Sequence, residues 1–276
     1  MKILKFFFFF LLLTVATLIS WPIGALVGNA ITQSSPPSVN NDSATALVFL
    51  FVCLINSLLI TVLIWTTRRY TGVLKGTVLI LYCFVIQFLL TQMETLFFAE
   101  SINITTEQIT SILIAGFVVA GVTIPLGIII SDKLNKPMAD IPLVLGFTGR
   151  SGWVVPMILL VCVVYPLLYF VFGYYVAWQN EALRIFYTQS SEIKPFFVQF
   201  TNAISEGIYY FQILRGMIWV AISVPVILML QHLRLSQYLL VGLLSALLPS
   251  ILLFLPNPYM PSEIAMSHFV ETSISN

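Results

Sequence analysis

Residues 76–98, Gly76 to Phe98, read GTVLILYCFVIQFLLTQMETLFF. The run is long and apolar enough to cross a bilayer, for which about 20 helical residues suffice. Three polar side chains interrupt it: Gln87, Gln92 and Glu94. In hydrocarbon an ionisable group costs at least about 2.5 kcal/mol on insertion scales, and it usually has a partner or a wet cavity beside it. The stretch therefore argues for a membrane chain and makes Glu94 its first functional candidate.

Composition extends the first conclusion to the whole chain. Of 276 residues 59% are hydrophobic and 8% charged, with a mean hydropathy of +1.01, against roughly 25% charged residues in soluble domains. A soluble fold is excluded. A net charge of +1 supplies no basic field, so no nucleic-acid partner is expected. Partners are sought among membrane lipids and an unidentified membrane protein. Cys53, Cys83 and Cys162 lie in apolar runs without a C-x-x-C pair, and only two histidines exist, His232 and His268. Neither a disulfide framework nor a metal site is expected. The phosphate loop, zinc-protease and nucleophile-elbow motifs are all missing, so no cofactor is expected and the reading leans away from an enzyme.

Outward from the opening stretch, the apolar runs predict an all-α, polytopic integral membrane helix bundle. It forms a single membrane domain of about seven spans, at 6–27, 46–66, 76–98, 109–130, 153–177, 207–231 and 238–255, with a polar tail at 256–276. The first run follows Lys2 and Lys5 and resembles a signal peptide; cleavage would leave six spans. Its length of about 20 apolar residues favours a retained helix. Gly24 and Gly28 form a GxxxG spacing, and Gly116 and Ala120 a second small-xxx-small pair, where backbones can approach. Pro125 is expected to kink the fourth span.

Connections read as follows. Ile31 to Thr45 is an irregular polar loop. In Ser131 to Gly152 the short run IPLVLGF lies in the interface, and GFTGRSG, with Arg150, reads as a flexible loop or a lipid-phosphate contact. Tyr174, Tyr175 and Trp178 suggest an aromatic belt. Glu181 and Arg184 stand at i,i+3 on a surface helix, followed by a looser SSEIKPFFVQF. A short helix is expected at Ser262 to Ser275, solvated, with His268 and Glu271 on one face.

Basic residues set the orientation. With the amino terminus cytoplasmic, Lys2, Lys5, Arg68, Arg69, Lys75, Lys133, Lys136, Arg150 and Arg234 fall inside, against Arg184 and Lys194 outside. That asymmetry follows the positive-inside rule and places the chain in the plasma (cytoplasmic) membrane. The triplets Asn41-Asp-Ser43 and Asn103-Ile-Thr105 then fall outside, as glycosylation acceptors require.

Helical geometry then sorts the polar residues. Cys83, Gln87, Thr91 and Glu94 share one stripe of the third span, while Gln92 points away. Glu94 lies roughly 6 Å below the outer end and Arg215, on the sixth span, roughly 12 Å. Arginine reaches upward by several Å, so the two charges can meet. Tyr209, Gln212 and Trp219 share Arg215's broad face, with Glu206 one turn above Tyr209. The candidate ligand-binding or polar-core residues are Glu94, Arg215, Gln87, Gln212 and Glu206. Three readings follow: a transport or ligand-binding protein with a site between the third and sixth spans; a membrane enzyme acting on lipid or a lipid-linked substrate; and an accessory subunit of a membrane complex, in which the buried pair only locks helices together.

Overall fold

A computed structural model of the protein describes residues 2–34, 42–134, 141–142, 151–230, 233 and 235–275. Ten helices carry the architecture: α1 (Lys2–Thr32), α2 (Ser43–Thr66), α3 (Val73–Phe97), α4 (Thr106–Leu134), α5 (Val154–Ala177), α6 (Glu181–Thr188), α7 (Phe196–Ser205), α8 (Ile208–Leu230), α9 (Leu235–Phe254) and α10 (Ser262–Ser275). Among the described residues seven of them, α1 to α5, α8 and α9, are long and apolar enough to cross a membrane. The protein is an all-α, multi-pass integral membrane protein. In lipid a spanning helix satisfies its own backbone, which is why seven apolar runs give seven helices. Among the described residues the one sheet element pairs Tyr70–Thr71 with Ile141–Pro142 in parallel.

Helix starts are set by capping. Asp42 accepts the Thr45 amide at 2.8 Å and begins α2. Thr105 and Gln108 cap each other reciprocally, at 3.0 and 3.3 Å, at the head of α4, satisfying amides that have no partner within the helix.

The α1–α4 pair is the most extensive contact between helices. A Cβ on Gly24 would sit 2.7 Å from the Ala115 carbonyl oxygen, and one on Gly28 would strike Ser111. Glycine at these positions lets the two backbones meet. Hydroxyls add interhelical bonds: Ser111 donates to Asn29 at 2.8 Å and Ser57 to Thr17 at 2.9 Å. At the amino-terminal end of α1, Lys5 donates to the Leu134 carbonyl at 2.6 Å and Phe6 meets Trp65 edge-on, so the ends of α1, α2 and α4 that carry basic residues lie together.

α3 runs through the middle, packed on α4, α8 and α9, and its side chains Leu79, Tyr82 and Ile86 are fully buried. α5 contributes least to the core, exposing Val155, Ile158 and Leu159, an apolar face suited to lipid. Three of its neighbours are not spans. α7 contains FFVQF, which the sequence reading placed in a looser segment; Pro195 at its N-cap fixes the entry to the helix. α10 is not a solvated tail. It packs along α9 and the last turns of α5, burying Ile264, Ala265 and Glu271.

Arg184 does not pair with Glu181 on the surface. It is buried and donates to three carbonyls, those of Ser191, Trp178 and Gln179, at 2.9, 2.7 and 3.0 Å. Three backbone acceptors in one place hold a guanidinium more firmly than one exposed carboxylate does. Asn41, Lys136, residues 146–150 of GFTGRSG, His232 and Arg234 lie outside the described residues.

Candidate functional site

Between α3, α5, α8 and α10 lies a cavity of about 1170 Å³. Along α3 its wall runs from Ile86 to Phe98, about 18 Å at 1.5 Å per residue. Its rim is formed by the connection holding α6 and α7, including Glu192, Lys194 and Glu206. Its far end meets a packed core of Leu79, Ile86, Ile124, Met229 and Leu244. The cavity therefore opens at the end of the bundle away from Lys5, Arg68 and Lys133. By the positive-inside rule this end is expected to face outward.

Two ion pairs exist among the described residues, and both lie on this wall. Glu94 Oε2 stands 3.0 Å from Arg215 Nη2. Tyr169, from α5, donates its hydroxyl to Glu94 Oε1 at 2.9 Å, and Arg215 Nη1 donates to Gln212 Oε1 at 3.0 Å. The ring of Phe211 lies 5.9 Å from the guanidinium carbon. The two members of the pair are not equally covered: the Arg215 side chain is 7% exposed and that of Glu94 33%. Glu94 is the charge that faces the cavity.

The second pair is on α10. His268 Nδ1 lies 3.0 Å from Glu271 Oε2, and Nε2 lies 3.0 Å from the Tyr187 hydroxyl on α6. Asn180 donates to Ser267 at 2.8 Å and fastens the same helix face. Gly173 makes room for Glu271, since a Cβ there would stand 3.2 Å from its Oε1. Burial disfavours the His268 imidazolium, but the hydrogen bond and charge of Glu271, with the charge of Glu94 behind it, outweigh that and raise its pKa above 6.5.

Wide π-helical turns border the cavity at Val85–Leu89 in α3 and at Gly173–Ala177 in α5, and α5 has another at Leu160–Val164. Such turns hold one extra residue, and they occur often at functional sites. In α3 the extra residue advances everything beyond it by about 100° relative to an ideal helix. The stripe expected from Cys83 through Gln87 to Glu94 is broken as a result. Cys83 and Gln87 are buried in the core, whereas Gln92 shares the cavity wall with Thr91, Glu94 and Thr95. In α5 the turn at Leu160–Val164 leaves the Cys162 carbonyl free to accept from Tyr209 at 2.7 Å.

Of the candidates drawn from the sequence, the structure joins Glu94, Arg215 and Gln212 by direct contact and puts Glu206 on the rim, exposed. Gln87 is separate, 2% exposed, with no hydrogen-bond partner for Nε2 among the described residues. Tyr169, Gln92, Tyr187, His268 and Glu271 join the site without having been singled out for it. Five polar atoms of wall residues, Trp21 Nε1, Gln92 Oε1, Gln199 Oε1, Arg215 Nε and Trp219 Nε1, are buried without a protein partner among the described residues. No group of three or more His, Cys, Asp and Glu side chains among the described residues is placed to hold a metal ion. Tyr174 and Trp178, expected in an interfacial belt, line the cavity instead, while Tyr175 faces outward, 61% exposed.

Comparison of the chain with family models, with curated proteins and with solved structures returned no match.

Proposed function

We propose that this membrane protein binds a molecule in the outward-opening cavity between the third and sixth spans, as a transporter or membrane receptor does. One observation carries the reading: both ion pairs of the described chain lie on the wall of one large cavity. Helix-locking pairs need no such cavity. Ionisable groups within spans line substrate and ion pathways because their desolvation is otherwise costly. The volume also suits a ligand, since at about 1170 Å³ it lies just above the roughly 300–1,000 Å³ range of small-molecule sites. The packed core below the cavity then corresponds to a closed inner gate, and transport requires a second state in which that core parts.

The test begins with thermal-shift screening of the detergent-purified chain against a compound library. Binding in the cavity requires that stabilisation by a hit disappear when Thr95, on the wall, is changed to Trp. Hits whose shifts survive that filling would refute the site. Uptake of the hit into sealed proteoliposomes distinguishes transport from reception.

A second reading is supported by the pairing of His268 with Glu271 on the same cavity wall as Glu94, an arrangement in which one group can donate a proton and another accept it. It makes the protein an enzyme acting on a lipid or lipid-linked substrate. Chemical turnover of the hit without net accumulation in the vesicles would select it.

A further inference from the structure

We infer that the cavity takes an organic cation with a bulky apolar body, the positive charge seated beside Glu94 among aromatic ring faces. The inference rests on the proposed binding role of the cavity and names its ligand class.

The sign of the charge follows from which partner of the Glu94–Arg215 pair is exposed to the cavity. Arg215 is almost fully covered; Nη2 is held by Glu94 and Nη1 by Gln212. Its Nε has no protein partner among the described residues but is buried, so an anionic headgroup could reach the guanidinium only by opening the packing around it. Glu94 is one-third exposed, and each of its oxygens holds a single donor, leaving lone pairs toward the cavity. A cation can approach without breaking the existing bonds.

The charge count agrees. Four carboxylates line the cavity, Glu94, Glu192, Glu206 and Glu271, against Arg215, Lys194 and the imidazole of His268. Even with His268 charged, the balance is negative. A negatively charged cleft with low-dielectric walls concentrates cations.

The remaining wall is aromatic. Trp178 and Tyr187 stack with centroids 6.2 Å apart on one side. Phe170, Phe200 and Phe196 form a chain of ring contacts at 5.0 and 6.0 Å on another. Ring faces attract weakly hydrated organic cations through their quadrupoles, as in sites for quaternary ammonium groups. A small inorganic cation is poorly served here, because it needs several converging oxygen ligands and the acidic groups are dispersed around the wall. The cavity volume, about 1170 Å³, calls for a larger body.

The experiment compares three probes of similar shape by equilibrium dialysis against the full-length protein in uncharged detergent: tetraphenylphosphonium, tetraphenylborate and neutral triphenylphosphine oxide. Saturable phosphonium binding at least tenfold tighter than binding of the other two is expected. Glu94→Gln should weaken phosphonium binding at least tenfold. The double variant Glu94→Gln with Arg215→Gln, which leaves no buried charge unpaired, should show the same loss and decides the matter if the single variant does not fold. Borate or oxide binding as tight as phosphonium binding overturns the cation class while the binding role of the cavity stands. So does phosphonium binding unchanged in the folded double variant. Absence of saturable binding for all three probes overturns both.

Discussion

Removing either partner of the Glu94–Arg215 pair should cost unequal amounts of stability, and the inequality can be worked from their burial. In Glu94→Leu the guanidinium stays charged at any accessible pH, is 7% exposed, and keeps only Gln212, at 3.0 Å, as a hydrogen-bond partner among the described residues. Stranding a buried charge costs about 3–5 kcal/mol. In Arg215→Leu the orphan is a carboxylate, 33% exposed, which retains the Tyr169 hydroxyl and can be wetted from the cavity. Its cost lies between the surface and buried limits, about 1–2 kcal/mol. The double variant to leucine should lie well below the sum of the two, with a coupling of about 2 kcal/mol. The assay is reversible unfolding in mixed micelles for the protein and the three variants. Equal costs for the single variants, or a double variant whose cost is the simple sum, would refute the burial argument and with it the direct pairing.

Two further outcomes test the fold around the site. Gly24→Ala places a methyl 2.7 Å from the Ala115 carbonyl oxygen and should destabilise by about 1–3 kcal/mol, whereas Gly121→Ala, which meets nothing within 4 Å, should be near neutral in the same unfolding assay. His268 has its pKa raised in the folded state by Glu271; a raised pKa stabilises fully below the unfolded value of about 6.5 and loses that contribution as pH rises through the folded value. Hydrogen exchange in Ser262–Ser275 should therefore accelerate, beyond the intrinsic base catalysis, as pH rises above about 6.5, and His268→Gln should abolish that excess.

Much of the fold was legible because lipid permits so few solutions: a run of about 20 apolar residues must satisfy its own backbone, so it becomes a helix. All seven runs are helices, with ends displaced by a few residues where caps intervene. The pair Thr105 and Gln108 is such a cap, and its S/T-x-x-E/Q pattern was there to be read; it moves the start of the fourth span from 109 to Thr106. The approach of Glu94 to Arg215 was legible from depth alone, since two charges at similar height in hydrocarbon lower each other's cost.

Other parts of the site left no sequence signal. A π turn has no residue signature, so the phase change at Val85–Leu89, which sets Gln87 apart from Glu94, was invisible, while Gln92 reaches the wall because the cavity covers more than one face of the helix. Tyr169 sits in an aromatic, apolar span where nothing marks one hydroxyl over another. α10 is polar enough to read as solvated; its burial comes from tertiary packing against α5 and α9, with Gly173 and Asn180 supplying the space and the hydrogen bond that hold it.

The central claim is that the cavity opens outward, and labelling of a cysteine at Thr95 tests it most directly. Cys53 and Cys83 are buried and Cys162 is half-buried, so a Cys162→Ala background carrying Thr95→Cys reports the cavity wall, and Thr71→Cys reports the opposite end. With a membrane-impermeant cationic thiol reagent on intact cells, Thr95→Cys should be labelled from outside and Thr71→Cys only after permeabilisation. Labelling of Thr71→Cys from outside, with Thr95→Cys protected until the membrane is opened, would contradict the account.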